Sequence, residues 1–212
     1  MRSDVHARRR HLVLTALLLV GTAVAGIAHA QNPALRASVA NALVVPDEER
    51  FEAYRWPREP RVIALYFGAD WCTPCHAFMP ELKQVYAALR SAGADTEVVY
   101  VSLDTSEREM RRYMRRQSMP WPAIDYRRLK ALPAIRALGG PAPPNLVLID
   151  RDGTVIASGW HGRRYAGLQP VLTAWVRALS DAGSPAPAPT PESAPAGDFT
   201  MRTNATPRTS PR

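Results

Sequence analysis

Cysteine is almost absent from this chain of 212 residues: only Cys72 and Cys75 occur. That excludes a multi-disulfide scaffold and a four-cysteine zinc or iron–sulfur site. Lysine is equally scarce, with only Lys83 and Lys130, so the 27 basic side chains are almost all arginine. They outweigh 19 acidic ones and leave a formal charge of +8. Residues 183–212 contain no Leu, Ile or Val, but seven prolines and thirteen Ala, Ser or Thr. A segment without branched aliphatics builds no core, so a disordered Pro/Ala/Thr-rich tail is expected there. What remains is ordinary: 46% hydrophobic and 22% charged residues, one domain's worth of globular sequence.

The first thirty residues read as an export signal. Arg2, Arg8, Arg9 and Arg10 form a positive start, and Leu12 to Ala28 is an uncharged, mostly apolar run. Ala28-His29-Ala30 has the small-x-small form of a cleavage site, which places cleavage after Ala30. An uncleaved membrane anchor is the alternative, although 17 residues is short for a span. Arg9-Arg10-His11-Leu12 is a weak twin-arginine match. The expected location is the periplasm, and the expected folded domain is residues 31–182. Without residues 1–30 the charge falls to +5, so part of the basic bias belongs to targeting. The tightest remaining cluster is Arg108, Arg111, Arg112, Arg115 and Arg116. An exported protein rarely meets nucleic acid, so this cluster reads as a solvated helix face and no nucleic-acid partner is expected.

Hydrophobic periodicity divides the domain. Pro33 to Leu43 looks like a short helix, with Asn32 as its cap and Pro33 at its first position. Val62 to Phe67 is an apolar run without alternation, as suits a strand covered on both faces. Phe78, Leu82, Val85 and Leu89 then recur at helical spacing, with Pro80 inside the helix and expected to kink it. Val98 to Val101 reads as a second buried strand. Ser106-Glu107-Arg108-Glu109 has capping-box form, ahead of a stripe of Met110, Tyr113 and Met114. Leu146 to Ile149 is a third strand, Asp150 to Gly153 a turn, and Thr154 to Ala157 the returning strand of a hairpin. Leu168, Val171, Leu172, Trp175, Val176 and Leu179 mark a last helix. The pattern predicts an α/β fold with a central mixed β-sheet flanked by helices.

The chemistry sits in Cys72-Thr73-Pro74-Cys75. Cys72 follows a buried strand and opens a helix, where free backbone N–H groups and the helix dipole favour a thiolate. That makes Cys72 the attacking sulfur. Cys75, one turn later, is in reach to resolve a mixed disulfide. Pro74 stiffens the step, and Trp71 can cover the site while leaving one sulfur accessible. A structural staple is the plainer reading, but so short a loop would stabilise by only about 2 kcal/mol. Two other readings use the same residues. Cys72 to His76 has the C-x-x-C-H form of a c-type haem attachment site. Cys72, Cys75, His76 and His161 are the only Cys and His left after cleavage, and two thiolates with imidazole can bind copper or zinc. The buried strand before the motif and the α/β alternation argue against haem. His76 is more simply an exposed residue of the first helical turn, and His161 a loop residue.

The strand, the Trp71-Cys72-Thr73-Pro74-Cys75 step and a proline five residues later resemble the thioredoxin superfamily. The longer match is to its tryparedoxin/nucleoredoxin branch, through Tyr66 to Cys72, Phe78 to Leu82, Val101 to Asp104, Ser118 to Ile124 and Leu146 to Gly153. The resemblance implies a thioredoxin-like fold and an exported thiol–disulfide oxidoreductase, expected to reduce protein disulfides without a cofactor or metal. It implies Cys72 and Cys75 as the catalytic pair, with Trp71, Thr73, Pro74, Pro143 and Pro144 meeting substrate. A membrane-borne electron donor and a monomeric state are expected. Three departures stand out. Tyr66 replaces the buried aspartate of thioredoxin itself, so the resemblance supplies no obvious proton acceptor for Cys75; Asp70 and Glu81 are only nearby in sequence. Pro144 matches the family's cis-proline, but Pro143 before it has no N–H to offer an extended substrate, so altered pairing is expected. The branch is best known inside cells, so its usual electron donor does not carry over.

Overall fold

The computed structural model describes residues 32–180. The expected signal, the cleavage after Ala30 and the expected tail lie outside the described residues. No helix among the described residues is long and apolar enough to cross a membrane.

The chain opens with helix α1 (Pro33–Ala40), whose N-cap Asn32 accepts the Leu35 N–H through its side chain. Strands β1 (Leu43–Pro46) and β2 (Phe51–Ala53) follow. Then come β3 (Val62–Gly68), the long helix α2 (Thr73–Ser91) and β4 (Thr96–Ser102). Helix α3 (Glu107–Arg116) leads through β5 (Ala123–Ile124) to the short helices α4 (Tyr126–Leu129) and α5 (Pro133–Ala137). The chain then returns as β6 (Asn145–Ile149) and β7 (Val155–Ser158). A small hairpin of β8 (Trp160–His161) and β9 (Arg164–Tyr165) precedes α6 (Gln169–Ser180).

Seven strands form one sheet in the order β2-β1-β5-β4-β3-β6-β7. β3 runs parallel to β4 and antiparallel to β6, so the sheet is mixed and β3 lies inside it. Every residue of β3, β4 and β6 is buried, because both faces are covered. Alternation survives as a division between two cores rather than between core and water. Ala64, Tyr66, Val98, Tyr100, Leu146 and Leu148 join α2, α3 and α6 on one face. Ile63, Leu65, Phe67, Val99, Val101 and Val147 join α1 and α5 on the other.

The structure corrects the sequence reading at its first helix, which ends at Ala40 rather than Leu43. Leu43 already belongs to β1, paired with Ile124 of β5. Partners this short leave no periodic signature, so only tertiary pairing defines them. The capping box also departs from expectation. Ser106 Oγ accepts the Glu109 N–H, but the Glu109 carboxylate takes the N–H and hydroxyl of Thr105, not the N–H of Ser106. Helix α2 runs unbroken through Pro80 to Ser91. The turn before β7 needs Gly153, which sits at φ +76°, where a Cβ would collide with the Asn32 carbonyl.

Candidate functional site

Strand β3 ends at Gly68, whose carbonyl accepts the Leu103 N–H beyond β4. Ala69 to Trp71 then turn the chain into α2. Cys72 is the N-cap of that helix, with extended backbone, and its Sγ accepts the Cys75 N–H at 3.2 Å. A donor is thus aimed at this sulfur by the helix itself. Cys72 and Cys75 are joined as a disulfide with Cα atoms 5.2 Å apart. Cys72 retains 3% exposure and Cys75 none, so Cys72 is the outer residue of the pair. Pro74 lies in the first turn, where a missing N–H costs no helical hydrogen bond. Trp71 is exposed and hangs from the Leu103 carbonyl by its Nε1 at 3.3 Å.

The Pro143–Pro144 bond is cis and leads directly into β6. Pro74, Phe78, Pro143, Pro144, Trp160 and Tyr165 line one groove of about 470 Å³. The substrate residues expected from sequence therefore divide. Pro74, Pro143 and Pro144 share the groove, whereas Trp71 and Thr73 are exposed and outside its lining. Pro143 offers no N–H there.

The β8–β9 hairpin completes the groove and was not legible in the sequence. Trp160 and Tyr165 pair across it with ring centroids 4.8 Å apart. Trp160 Nε1 donates to the Ala142 carbonyl at 2.9 Å, and the Tyr165 hydroxyl to that of Pro144 at 3.4 Å. Gly140, at φ +73°, packs so close to the Trp160 ring that no Cβ fits between them. Asn145, fully buried, ties the same pieces from beneath. Its Nδ2 donates to the Leu138 carbonyl at 2.9 Å, and its Oδ1 accepts the Gly159 N–H at 3.0 Å. The available signal was Trp160 directly after Gly159, an aromatic in an otherwise polar hairpin.

On the other side of Cys72 the surroundings are charged. The Asp70 carboxylate is only 6% exposed and accepts from Arg112 at 2.7 Å and Arg116 at 3.2 Å. Its hydrogen bond holds the Arg112 guanidinium above the usual arginine range. The arginine cluster is therefore not simply a solvated face: these two residues, one helical turn apart, hold an anion. That i, i+4 spacing was the signal in the sequence. His76 is half-buried rather than exposed, because both ring nitrogens are engaged. Nε2 meets the Asp70 carbonyl at 2.7 Å and Nδ1 meets Gln117 Nε2 at 2.8 Å.

Both carboxylates near Cys75 in sequence are engaged elsewhere. Asp70 is held by arginine, and Glu81 accepts from Gln169 at 2.6 Å. Tyr66 stands closer, its hydroxyl 3.5 Å from the Cys75 carbonyl and 3.1 Å from the Tyr113 hydroxyl. Burial, then the neighbouring Tyr113 and Asp104, push Tyr66 far above the usual phenol range. Burial also pushes Tyr113 up to about 12. Both tyrosines therefore stay protonated at neutral pH and act as hydrogen-bonding groups. Asp104 anchors this network, accepting from Tyr100 at 3.0 Å, Ser102 at 2.8 Å and the Asp70 N–H at 2.7 Å. Among the described residues, no three His, Cys, Asp or Glu side chains cluster to hold a metal ion.

Residues 60–155 match a family described as Thioredoxin-like. That stretch is thus a thioredoxin-like domain, similar to the tryparedoxin/nucleoredoxin-like branch of the thioredoxin superfamily. Mouse nucleoredoxin is 33% identical over 100 residues, covering 44% of this chain and 21% of that protein. Probable nucleoredoxin 1 of Arabidopsis thaliana is 38% identical over 100 residues, covering 44% of this chain and 16% of that one. The chain thus spans about a fifth of the length of the curated relatives it matches. Among solved structures, a thioredoxin from Wuchereria bancrofti superposes with a TM-score of 0.50 at 26% identity, over 66% of this chain and 97% of that one. A tryparedoxin from Trypanosoma brucei gives 0.48 at 25% identity, over 58% and 85%. In this superfamily setting the capped Cys72, the buried Cys75 and the cis-proline beside them form one redox-capable constellation.

Proposed function

We propose that this protein is an exported thiol–disulfide oxidoreductase that reduces protein disulfides in the periplasm. The observation that carries the reading is the position of Cys72: its sulfur caps α2 and accepts the Cys75 N–H, and Cys72 is the less deeply buried residue of the pair. In the reduced protein, the Cys72 thiolate attacks a substrate disulfide, forms a mixed disulfide and releases one substrate thiolate. Cys75 then gives up its proton and attacks Cys72 Sγ. The second substrate thiolate leaves, the Cys72–Cys75 disulfide forms, and two electrons have passed to the substrate. The oxidised protein is returned to the dithiol by an electron donor, which for an exported protein is membrane-borne. Trp71, Thr73 and the groove at Pro74, Pro143 and Pro144 receive the substrate. Export rests on the sequence of residues 1–30.

Turbidimetric insulin reduction tests the assignment. Cys72→Ser abolishes it, and Cys75→Ser accumulates mixed disulfides with partner proteins. Cys75→Ser protein that traps nothing overturns the assigned roles. The direction of electron flow is read from the reduction potential of the pair. A value near −270 mV supports a reductase, and one near −120 mV makes it an oxidant.

A further inference from the structure

Asp70, two residues before Cys72, is gripped at every polar group. Its N–H donates to Asp104 Oδ1 at 2.7 Å, and its carbonyl accepts from His76 Nε2 at 2.7 Å. Its carboxylate takes Arg112 and Arg116. The end of β4, the first turn of α2 and one face of α3 therefore converge on a single loop residue. The α3 connection is doubled, since Gln117 at its C-cap holds His76. An ordinary surface ion pair contributes little and buries nothing. Here the carboxylate is 6% exposed while Arg112 and Arg116 are 45% and 61% exposed. The arginines reach inward over an acid that the fold has already placed beside the redox turn.

We infer that Arg112 and Arg116 set the charge of the loop before Cys72, offsetting Asp70 and the Asp104 carboxylate bonded to its N–H, and so favour the Cys72 thiolate. This rests on the reading of Cys72 as the attacking thiol. A bare carboxylate here would oppose formation of a second anion, and each guanidinium reverses that effect. The other titratable groups about this turn are Cys75 and His76 on α2, Tyr66 on β3, Glu109 and Tyr113 on α3 and Asp104 beyond β4. All of them are unchanged in the variants below, so the variants isolate the clamp. Arg112 and Arg116 act through electrostatics and are positioning residues, with no contact to substrate required.

The test is a charge series in the reduced full-length protein. Counting Asp70, Arg112 and Arg116, the local charge is +2 in Asp70→Asn, +1 in the wild type, 0 in Arg116→Gln and −1 in Arg112→Gln/Arg116→Gln. The pH midpoint of Cys72 ionisation, followed by thiolate absorbance and by alkylation rate, rises in that order. Below the midpoint each step reduces the alkylation rate about threefold. Arg116→Lys restores the wild-type midpoint. Arg116→Gln is the mild arm, because Arg112 still holds the buried acid and keeps the loop in place. A disturbance of loop geometry alone moves Asp70→Asn and Arg116→Gln in the same direction. That result, or an unmoved midpoint in both, overturns the inference. Cys72→Ser assigns the titrating thiol. Failure of the wild type to reduce insulin removes the proposed function but leaves the charge series readable.

Discussion

The two flanks of Cys72 are made of opposite materials. On the α3 side, arginine, aspartate, histidine and glutamine converge on the backbone before Cys72. On the other side, proline, phenylalanine, tryptophan and tyrosine line an open groove. The polar flank spends its hydrogen bonds inside the protein. The apolar flank leaves its side chains available, and its backbone offers no N–H at Pro143. One flank fixes the sulfur, and the other is free to receive a chain that brings its own apolar surface. The difference follows from what supports each flank. α3 packs a stripe of Met110, Tyr113 and Met114 into the core and can aim arginines from a rigid base. The β8–β9 hairpin has no such base and is held by hydrogen bonds from Trp160 and Tyr165 and by that of the Gly159 N–H to Asn145.

The sharpest way to break the contrast is to remove the support of the apolar flank. Asn145→Ala deletes a buried side chain that joins the Leu138 carbonyl to the Gly159 N–H. Gly159 keeps a second acceptor in Leu146, but Leu138 is left unpaired. Chemical denaturation is expected to show a loss of roughly 2–4 kcal/mol, from the unpaired carbonyl and the void together. Insulin reduction should weaken through KM as the cis-proline loop loosens.

Trp160→Ala tests the flank from its partly exposed side, with a smaller cost to the fold than Asn145→Ala. Trp160 is only half-buried, and its loss removes one aromatic wall. KM for a protein disulfide should rise about tenfold, the loss of an anchor worth ~1.4 kcal/mol, while the Cys72 ionisation midpoint stays put. Arg116→Gln should show the reverse pattern. If both variants change KM alone, the two flanks do not differ in role.

Much of this architecture was legible because buried strands and helical stripes are long-range averages over many residues. Val62 to Phe67 declares a strand covered on two faces, and the Cys72 step declares its place at a helix start. Pro144 could be placed as cis only through resemblance, since no local pattern distinguishes it from Pro143. β1, β2 and β5 escaped because strands of two to four residues are defined by their partners rather than by periodicity. The arginine face was misread for a related reason. Its i, i+4 spacing showed which arginines point together, but not that a buried aspartate 42 residues earlier would stand opposite.

A second buried acid is held without an arginine hydrogen bond among the described residues. Glu97, on β4, accepts from the Tyr86 hydroxyl at 2.6 Å and the Val98 N–H at 3.1 Å. Burial raises its pKa above the ordinary carboxylate value, against the lowering effect of those two donors and of the nearby Arg90 charge. A raised pKa means that the folded state binds its proton more tightly than the unfolded one. The stability it contributes is present below the ordinary glutamate range and is lost as pH rises through the folded value. Glu97→Gln should therefore melt higher than the wild type at pH 7, and the advantage should vanish on acidification below about pH 4. An unchanged difference across that range would mean that packing, not charge, separates the two proteins.

The smallest expected effect lies at the end of the polar flank. Ser118 follows the α3 C-cap at φ +47°, in the left-handed region. Its N–H reaches the Arg115 carbonyl, and that of Met119 reaches Met114, the paired bonds of a Schellman termination. A side chain in this conformation costs roughly 1–2 kcal/mol, which glycine avoids. Glycine also enlarges the unfolded ensemble, at roughly 0.5–1 kcal/mol. Ser118→Gly should therefore stabilise by about 0.5–1 kcal/mol net, seen as a small rise in Tm. The neighbouring Gln117 holds His76, so a firmer helix end tightens the flank that fixes Cys72 while leaving the groove alone. KM for a protein disulfide should stay at the wild-type value. A changed KM would show that the end of α3 and the groove are mechanically one unit, and that the flanks differ in composition but not in independence.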